Sequence, residues 1–162
     1  MKNDQVLRQE LLALLRGGNA HMSFEDAVEG FPMADINKKL PNATYTAWHL
    51  LEHIRIAQWD IVDFVIDPNH QSPEFPGGYW PGVDEKATPA QWKKTIKEFL
   101  ADRKAFEKLV NDPKTDFFGP IPHAKDYTVL REVLLAADHN AYHAGELVCI
   151  RRVLDMKPIK EY

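Results

Sequence analysis

TVLREVLLAADHNAYHAGELVCIRRVLD, residues 128–155, has the periodicity of one long amphipathic helix. At 100° per residue, one face of this helix carries His139 together with a mainly apolar set: Glu132, Leu135, Ala136, Tyr142, His143, Glu146, Leu147, Ile150 and Val153. His139 and His143 therefore lie one turn apart on the face that we expect to point into a core. Two imidazoles at this spacing can hold one metal ion, but a pair of hydrogen-bonded core histidines has the same pattern.

A second long amphipathic helix is predicted over residues 43–67, ATYTAWHLLEHIRIAQWDIVDFVID. The face of this helix that contains His53 also contains Thr46, His49, Leu50, Ile56, Ala57, Asp60, Ile61 and Phe64. Facing helices that each offer inward imidazoles form metal sites inside helical bundles. Because a buried imidazole without a partner is costly, a shared metal ion is favoured over a metal-free histidine core.

Composition limits the classes of partner and compartment. The formal net charge is −4, and the lysines of the stretch 93–108 alternate with acids, so nucleic acid is not an expected partner. The single cysteine, Cys149, excludes an intramolecular disulfide and is expected to be a small core residue. No apolar run approaches membrane-spanning length, and the N-terminus lacks the apolar centre of a signal peptide. We expect a cytoplasmic protein with no membrane partner.

The rest of the chain predicts an all-α four-helix bundle in a single domain over residues 1–162. The first long helix covers residues 3–16, Ser23 caps a short helix, and Thr88 caps the third long helix. Residues 68–88 and 111–127 are predicted to be irregular, and no alternating strand pattern is found. The length of the segment 68–88 favours a crossover between the second and third long helices.

The residues around the histidines exclude two common classes of metal site, the zinc-protease site and the di-iron site. In the segment HNAYH, Asn140 stands where a zinc protease has its catalytic glutamate, and the ExxH pair of di-iron bundles is missing. What remains is a three-imidazole site with a possible fourth ligand from His49, Asp60 or Glu146. Such a site suits Zn²⁺, Ni²⁺ or Fe²⁺. An open position on the ion would indicate catalysis or ligand binding, and a closed one would indicate structure.

Arg103 lies within the apolar stripe of the third long helix. It is expected either to pair with an acid at the surface or to hold an anionic ligand at the site.

Four segments together resemble the DinB-like (YfiT-like) superfamily of four-helix metalloproteins: GGNAHMSFEDAVEGFP, AWHLLEHIRIAQWDI, the loop to PGGYWP, and LLAADHNAYHAGEL. The resemblance runs over nearly the whole chain and implies an up-down-down-up bundle with a long crossover. It also implies that the metal ligands are His53, His139 and His143. His49 is an additional histidine relative to the usual pattern, and Glu146 stands where many relatives have Gln.

The resemblance implies several functions. Relatives include bacillithiol S-transferases and mycothiol-dependent isomerases, so one hypothesis is a metal-dependent thiol S-transferase or hydrolase acting on a small molecule. In that case Arg103 and Glu146 are the candidate catalytic residues, and a low-molecular-weight thiol is the expected partner. The alternative is a non-catalytic, dimeric metal-binding protein of the stress response. A metal-free bundle with a histidine core is the third hypothesis.

Two further expectations concern the surroundings of the site and the assembly. Asp60 or Glu146 should either accept a hydrogen bond from the free ring N–H of a ligand or bind the metal directly. A homodimer is also expected, because Trp48 and Trp59 are predicted to lie on the outer face of the second long helix, and the family resemblance implies the same.

Overall fold

The computed structural model describes residues 2–154 and 156. In this part of the chain the α-helices are α1 (Lys2–Arg16), α2 (Phe24–Val28), α3 (Ala47–Ile66), α4 (Pro89–Asn111) and α5 (Val129–Val153). A 3₁₀ turn covers Gly77–Tyr79, and two short strands, β1 (Pro120–Ile121) and β2 (Ala124–Thr128), pair antiparallel. The predicted end of the last helix at residue 155 and the stop at Pro158 lie outside the described residues.

Capping chemistry explains where the helices begin. The side chains of Ser23, Thr46 and Thr88 each accept a hydrogen bond from the backbone N–H three residues later, and each belongs to a reciprocal capping box. The caps predicted at Ser23 and Thr88 are therefore confirmed. Because Thr46 is the cap of α3, that helix begins at Ala47 rather than at residue 43. Gly17, at φ 68°, follows the end of α1 in a conformation that glycine adopts without strain.

The α3 and α4 helices are parallel neighbours. Thr95 donates a hydrogen bond to Glu52 at 2.7 Å, and Gln58 donates one to the carbonyl oxygen of Phe99 at 2.7 Å. Residue numbers thus increase in the same direction along both helices. Parallel neighbours need a connection that runs back along the bundle, so the segment between α3 and α4, residues 67–88, is the predicted crossover.

The other neighbouring pairs give the remaining directions. Arg8 in the middle of α1 donates to the carbonyl oxygen of Val110 at 2.7 Å, and Arg16 at its end pairs with Glu107, so α1 is antiparallel to α4. The α5 helix packs against both α1 and α3 and runs antiparallel to α3. The bundle is all-α with up-down-down-up topology, as the sequence predicted.

The core has two apolar clusters with a polar layer between them. One cluster includes Trp48, Trp92 and Phe99, and the other includes Leu11 and Phe106. Between them, Gln58 and Asn140 join α3 to α5 through a hydrogen bond of 2.8 Å from Asn140 Nδ2 to Gln58 Oε1. Both side chains of this layer are buried, so the hydrogen bonds connecting three helices lie out of solvent.

Several local expectations were wrong. Trp48 is only 3% exposed and lies in the core, not on an outer face. Leu135, Tyr142, Val153 and Cys149 are exposed, although the periodicity of the last helix placed the first three on the inner face and the cysteine in the core. The segment 111–127 was predicted to be irregular, but it contains β1 and most of β2.

Among the described residues, none of the helices combines the length and the apolar character that crossing a lipid bilayer requires.

Candidate metal centre

Three histidine rings meet between α3 and α5 at the level of the polar layer. The Nε2 atom of His53 lies 3.2 Å from Nε2 of His139 and 3.2 Å from Nε2 of His143. Ligand atoms of all three residues lie within 4.8 Å of one another. The i, i+4 spacing on α5 brings two of the rings together, and the antiparallel packing of α3 supplies the third.

The crossover fixes the orientation of the His53 ring. Its Nδ1–H donates a hydrogen bond of 2.9 Å to the carbonyl oxygen of Tyr79. A carbonyl can only accept, so the proton is on Nδ1 and the Nε2 lone pair faces the other two rings. Burial lowers the pKa of His53, which keeps the ring neutral near pH 7.

A carboxylate fixes the orientation of the His143 ring. Its Nδ1–H donates to Oε2 of Glu146 at 2.5 Å, while the hydroxyl of Tyr45 donates to Oε1 at 2.9 Å. This is the hydrogen bond that the sequence analysis expected from one of the two acids. Burial and then the Glu146 carboxylate raise the pKa of Tyr45 to about 12, so the hydroxyl remains a donor at neutral pH.

The surroundings of the His139 ring disfavour its protonated form. Burial, followed by the nearby rings of His143 and His53, lowers the pKa of His139 to about 4. Its Nδ1 atom and Oδ1 of Asn140 are both buried without a hydrogen-bond partner among the described residues. The Asn140 side chain nevertheless raises the pKa of His139 slightly, as an acceptor close to Nδ1–H does.

The tautomers make this cluster suitable for a cation. His53 and His143 both turn an Nε2 lone pair toward the centre, because their Nδ1 atoms donate outward. When all three rings are in the neutral form, at most one N–H, from His139, points toward these converging lone pairs. A divalent ion with three imidazole ligands satisfies all three nitrogens at once. The residues present therefore fit a bound divalent metal.

Aromatic side chains cover the cluster on the crossover side. The indole ring of Trp80 stacks on the His53 ring with centroids 3.8 Å apart and planes 3° apart. The Tyr45 ring packs against Trp80 at 5.5 Å. The Trp80 ring thus covers His53, which is only 8% exposed, whereas Phe75 of the same segment is 84% exposed.

Among the described residues, none of the three possible additional ligands, His49, Asp60 and Glu146, belongs to the group, and Glu146 accepts from the outward Nδ1–H of His143 instead. The Nδ1 atom of His49 accepts the backbone N–H of Thr46, and its Nε2–H donates to the carbonyl oxygen of Glu85 at 2.9 Å. Both nitrogens of His49 are therefore engaged in holding the start of α3 and the end of the crossover. Asp60 is buried and accepts hydrogen bonds from Tyr79 and His70 instead.

The two candidate catalytic residues have different positions. Glu146 borders the cluster through His143, as described above. Arg103 lies elsewhere: its guanidinium pairs with Glu25 and approaches Glu107, and it lies over the ring of Phe99. These contacts join α4 to α2, and they correspond to the acid pairing that was one of the two expectations for this residue.

A sequence model of the DinB superfamily matches residues 16–147, more than half of the chain, and the range includes the three histidines. The chain belongs to the DinB superfamily. No curated protein and no solved structure matches it. The resemblance found in the sequence is thereby confirmed.

Other parts of this DinB superfamily site have no signal in the sequence. The Tyr79 contact is a backbone carbonyl, which residue type cannot reveal. For Asn140, the sequence showed only that the catalytic glutamate of a zinc protease is missing at this position. The structure shows that the Asn140 side chain donates a hydrogen bond to Gln58. The roles of Tyr45 and Trp80 depend on which ends of α3 and α5 meet, and that follows only from the three-dimensional packing.

Proposed function

We propose that this protein binds one divalent metal ion through Nε2 of His53, His139 and His143 and acts as a metal-dependent thiol S-transferase on a small electrophile. The observation that carries the proposal is the convergence of three imidazole nitrogens, two of which have outward N–H groups held by fixed acceptors. Zn²⁺, Ni²⁺ and Fe²⁺ are the ions that such a neutral nitrogen set suits.

The number of ligand residues supports catalysis over a structural role. His49 and Asp60 are engaged elsewhere, so the group contains three ligand residues among the described part of the chain. Three protein ligands with a free fourth position is the pattern of catalytic sites. When bound, an ion in this setting lowers the pKa of a thiol or of a water molecule at that position.

Two cavities support a reaction with two substrates. One, of about 430 Å³, is mostly apolar and is bordered by Tyr45, Trp80 and neighbouring prolines. The other, of about 470 Å³, is bordered by Glu146 and Arg152. Tyr45 borders the first cavity and Glu146 borders the second, and a hydrogen bond of 2.9 Å joins these two side chains. An apolar electrophile suits the first cavity and an anionic thiol suits the second, whereas hydrolysis needs only one organic substrate.

In this proposal each side chain has a defined task. Glu146 holds His143 through Oε2 and accepts the Tyr45 hydroxyl at Oε1, so it links the metal cluster to a residue that borders the first cavity. Arg152 is exposed, and no described residue forms a hydrogen bond or ion pair with it, so its charge is available to a carboxylate of the thiol. Trp80 shields His53 and forms the apolar wall for the electrophile.

The metal is tested first. Protein purified without an affinity tag should contain close to one equivalent of metal, measured by elemental analysis. A His139→Ala/His143→Ala variant should lose it. His123→Ala is the matched control, because His123 is exposed and donates to the carbonyl oxygen of Phe64, away from the cluster. Stoichiometric metal in the double variant would locate the binding site elsewhere.

The reaction is tested by consumption of low-molecular-weight thiols with a generic electrophile. Metal-loaded protein should consume at least one cellular thiol faster than metal-free protein or His53→Ala does. Arg152→Ala should raise the KM for an anionic thiol and leave the KM for the electrophile unchanged. If a water-dependent product forms with no thiol consumed, metal-dependent hydrolysis replaces transfer as the proposed reaction.

A non-catalytic metal-binding protein of the stress response is the second candidate function, and one observation favours it. The Trp80 ring lies flat on His53, and such a cover limits access to the cluster from the crossover side. If metal binds with the expected stoichiometry but no thiol of the panel is consumed and no hydrolysis occurs, this function is the better account.

A further inference from the structure

A buried carboxylate anchors the crossover at a distance from the three histidines. Asp60 on α3 is 8% exposed and accepts two hydrogen bonds. The Tyr79 hydroxyl donates to Oδ2 at 2.6 Å, and Nε2–H of His70 donates to Oδ1 at 2.7 Å. Both donors belong to the crossover, and the ring of Trp59 packs edge-on against His70. Asp60 thus ties two points of a long irregular segment to a rigid helix.

The same crossover residues determine the surroundings of His53. The backbone carbonyl of Tyr79 accepts Nδ1–H of His53, and the next residue, Trp80, stacks on the ring. One residue therefore has its side chain fixed by Asp60 and its backbone directed at a histidine. The displacement of the Tyr79 side chain would move the carbonyl and the indole together, because they lie on consecutive residues.

The chemistry of these contacts makes them strong enough to fix the segment. Hydrogen bonds to an ionised carboxylate are about twice as strong as those between neutral groups. Burial, followed by the Asp60 carboxylate, raises the pKa of Tyr79 to about 12, so the phenol keeps its proton at neutral pH. The hydroxyl of Ser72, also in the crossover, contacts the same phenol. The loss of the phenol oxygen leaves Asp60 with a single donor.

We infer that Asp60 and Tyr79 are positioning residues for metal binding: through the Tyr79 carbonyl and the Trp80 ring, they hold the His53 imidazole in its metal-binding tautomer and orientation. No hydrogen bond joins Asp60 to any of the three histidines within the described residues, so the effect passes through the crossover. The inference rests on the proposed metal site. It assigns a role in metal retention to a segment that supplies none of its ligands.

The test compares the metal dissociation constant of Tyr79→Phe with that of the wild type, by competition with a chromophoric chelator using Zn²⁺. Changes to groups that orient a metal ligand weaken binding by about 10–100-fold, and we expect about 10-fold here because the effect passes through the backbone. Tyr127→Phe is the matched control, since Tyr127 lies on β2 with an exposed ring near Phe64. Asp60→Asn, which keeps one acceptor, should fall between the wild type and Asp60→Ala.

A second measurement separates positioning from general stability. Zn²⁺ should slow amide hydrogen exchange in residues 70–80 of the wild type, and should do so less in Tyr79→Phe. A purely structural role would lower the stability of the metal-free and loaded forms equally and leave the dissociation constant unchanged. If wild-type protein and Tyr79→Phe bind Zn²⁺ equally well, the inference is overturned and the metal site stands. If the wild type binds no metal, both fail.

Discussion

Glu146 shows how one side chain can orient a metal ligand and join α5 to the segment that precedes α3. Its two carboxylate oxygens accept from different donors, His143 Nδ1–H and the Tyr45 hydroxyl. The sequence resemblance places Gln at this position in many relatives, and a neutral amide can accept at one oxygen only. The negative charge of Glu146 should therefore make Nε2 of His143 a stronger metal ligand than it would be with an amide at position 146.

The prediction for Glu146 concerns metal affinity. Glu146→Ala should weaken metal binding by about 10–100-fold, and Glu146→Gln should weaken it less, because the amide oxygen can still accept from the ring N–H. Competition with a chelator measures both values. Glu10→Ala, on the exposed side of α1, is the control and should bind metal as the wild type does. Equal affinities for all three variants would remove Glu146 from the site.

Asp102 on α4 gives a prediction that is independent of the metal. Burial, and then the charge of Asp63, raises the pKa of Asp102 from 3.8 to about 6, against the opposing effect of Arg55. The folded state therefore binds a proton between these two pH values that the unfolded chain has released. The free energy of unfolding must therefore fall as the pH rises from about 4 to about 6. Above pH 6 the ionised Asp102 destabilises the folded state by a constant amount.

Replacing this carboxylate should stabilise the protein near neutral pH. Asp102→Asn should raise the free energy of unfolding at pH 7.5 by about 1 kcal/mol, a value discounted for the partial exposure of the side chain. The gain should disappear below about pH 4, where both states of the wild type are protonated. Urea unfolding at the two pH values measures it. A gain of the same size at both would show that the charge of Asp102 is not its cause.

The contact between helices in the middle of the bundle depends on the polar layer. Gln58 is fully buried, donates to the Phe99 carbonyl on α4, and accepts from Asn140 on α5. One amide thus joins three helices where the two apolar clusters meet. It also lies about one turn from His53 on α3, so it helps to fix the spacing at which the α5 histidines approach.

Replacing Gln58 alone should destabilise the protein more than replacing Gln58 and Asn140 together. Gln58→Leu should lower the free energy of unfolding by about 2 kcal/mol, because it leaves the buried Asn140 amide without its acceptor. Gln58→Leu/Asn140→Leu should recover part of the loss, since neither polar group then remains unpaired. Urea unfolding of the two variants gives the comparison. Additive losses in the double variant would contradict the role of the hydrogen bond.

The short elements show where sequence periodicity stops being informative. Strand β2 is mostly exposed and reads AKDYT, so it lacks the alternation of apolar residues that identifies a half-buried strand. The periodicity of α5 predicted that His139 lies in the middle of its buried face, but the histidine cluster lies at the edge of that face. Small residues such as Ala137 and Ala144 occupy the middle of that face, which turns Tyr142 outward.

For the molecule as a whole, the long helices, the caps at Ser23 and Thr88 and the crossover could be predicted, because each depends on local sequence or on chain length. The grouping of His53 with His139 and His143 came from a resemblance to a family. The engagement of His49 could not be predicted, since an imidazole that caps Thr46 has the same helical position as one that binds metal. Arg103 likewise finds its acid partner on α2, a short helix whose position depends on tertiary packing.

Metal binding should stabilise the whole bundle. An ion that binds only the folded state adds about 2.7 kcal/mol to the free energy of unfolding at a free concentration of 100 times its dissociation constant. Chelation should therefore lower the melting temperature of the wild type. It should also lower that of His123→Ala, which keeps the cluster, and should leave His139→Ala/His143→Ala unchanged. A melting temperature of the wild type that is insensitive to chelation would contradict this.

The homodimer remains a proposal, now on a different basis. Trp48 no longer supports it, and Trp59 is half-buried beside His70. The outward side of α5 instead carries exposed Leu134, Leu135 and Tyr142. Light scattering at micromolar concentration should give twice the monomer mass, and Leu134→Asp should shift it toward the monomer. A monomer mass for the wild type would contradict the proposal.

The antiparallel pairing of α3 with α5 has a consequence that belongs to polymer physics. His53 and His139 are separated by 86 residues of chain. Joining two such points in an unfolded chain costs about 4 kcal/mol of entropy by the logarithmic law for loop closure. In an unfolded chain, His139 and His143 can still bind one ion together, because they are close in sequence. A third nitrogen from His53 can join them only at this entropic cost. Folding places this third nitrogen, from His53, next to the other two. His53 therefore accounts for most of the difference in metal affinity between the folded and the unfolded chain.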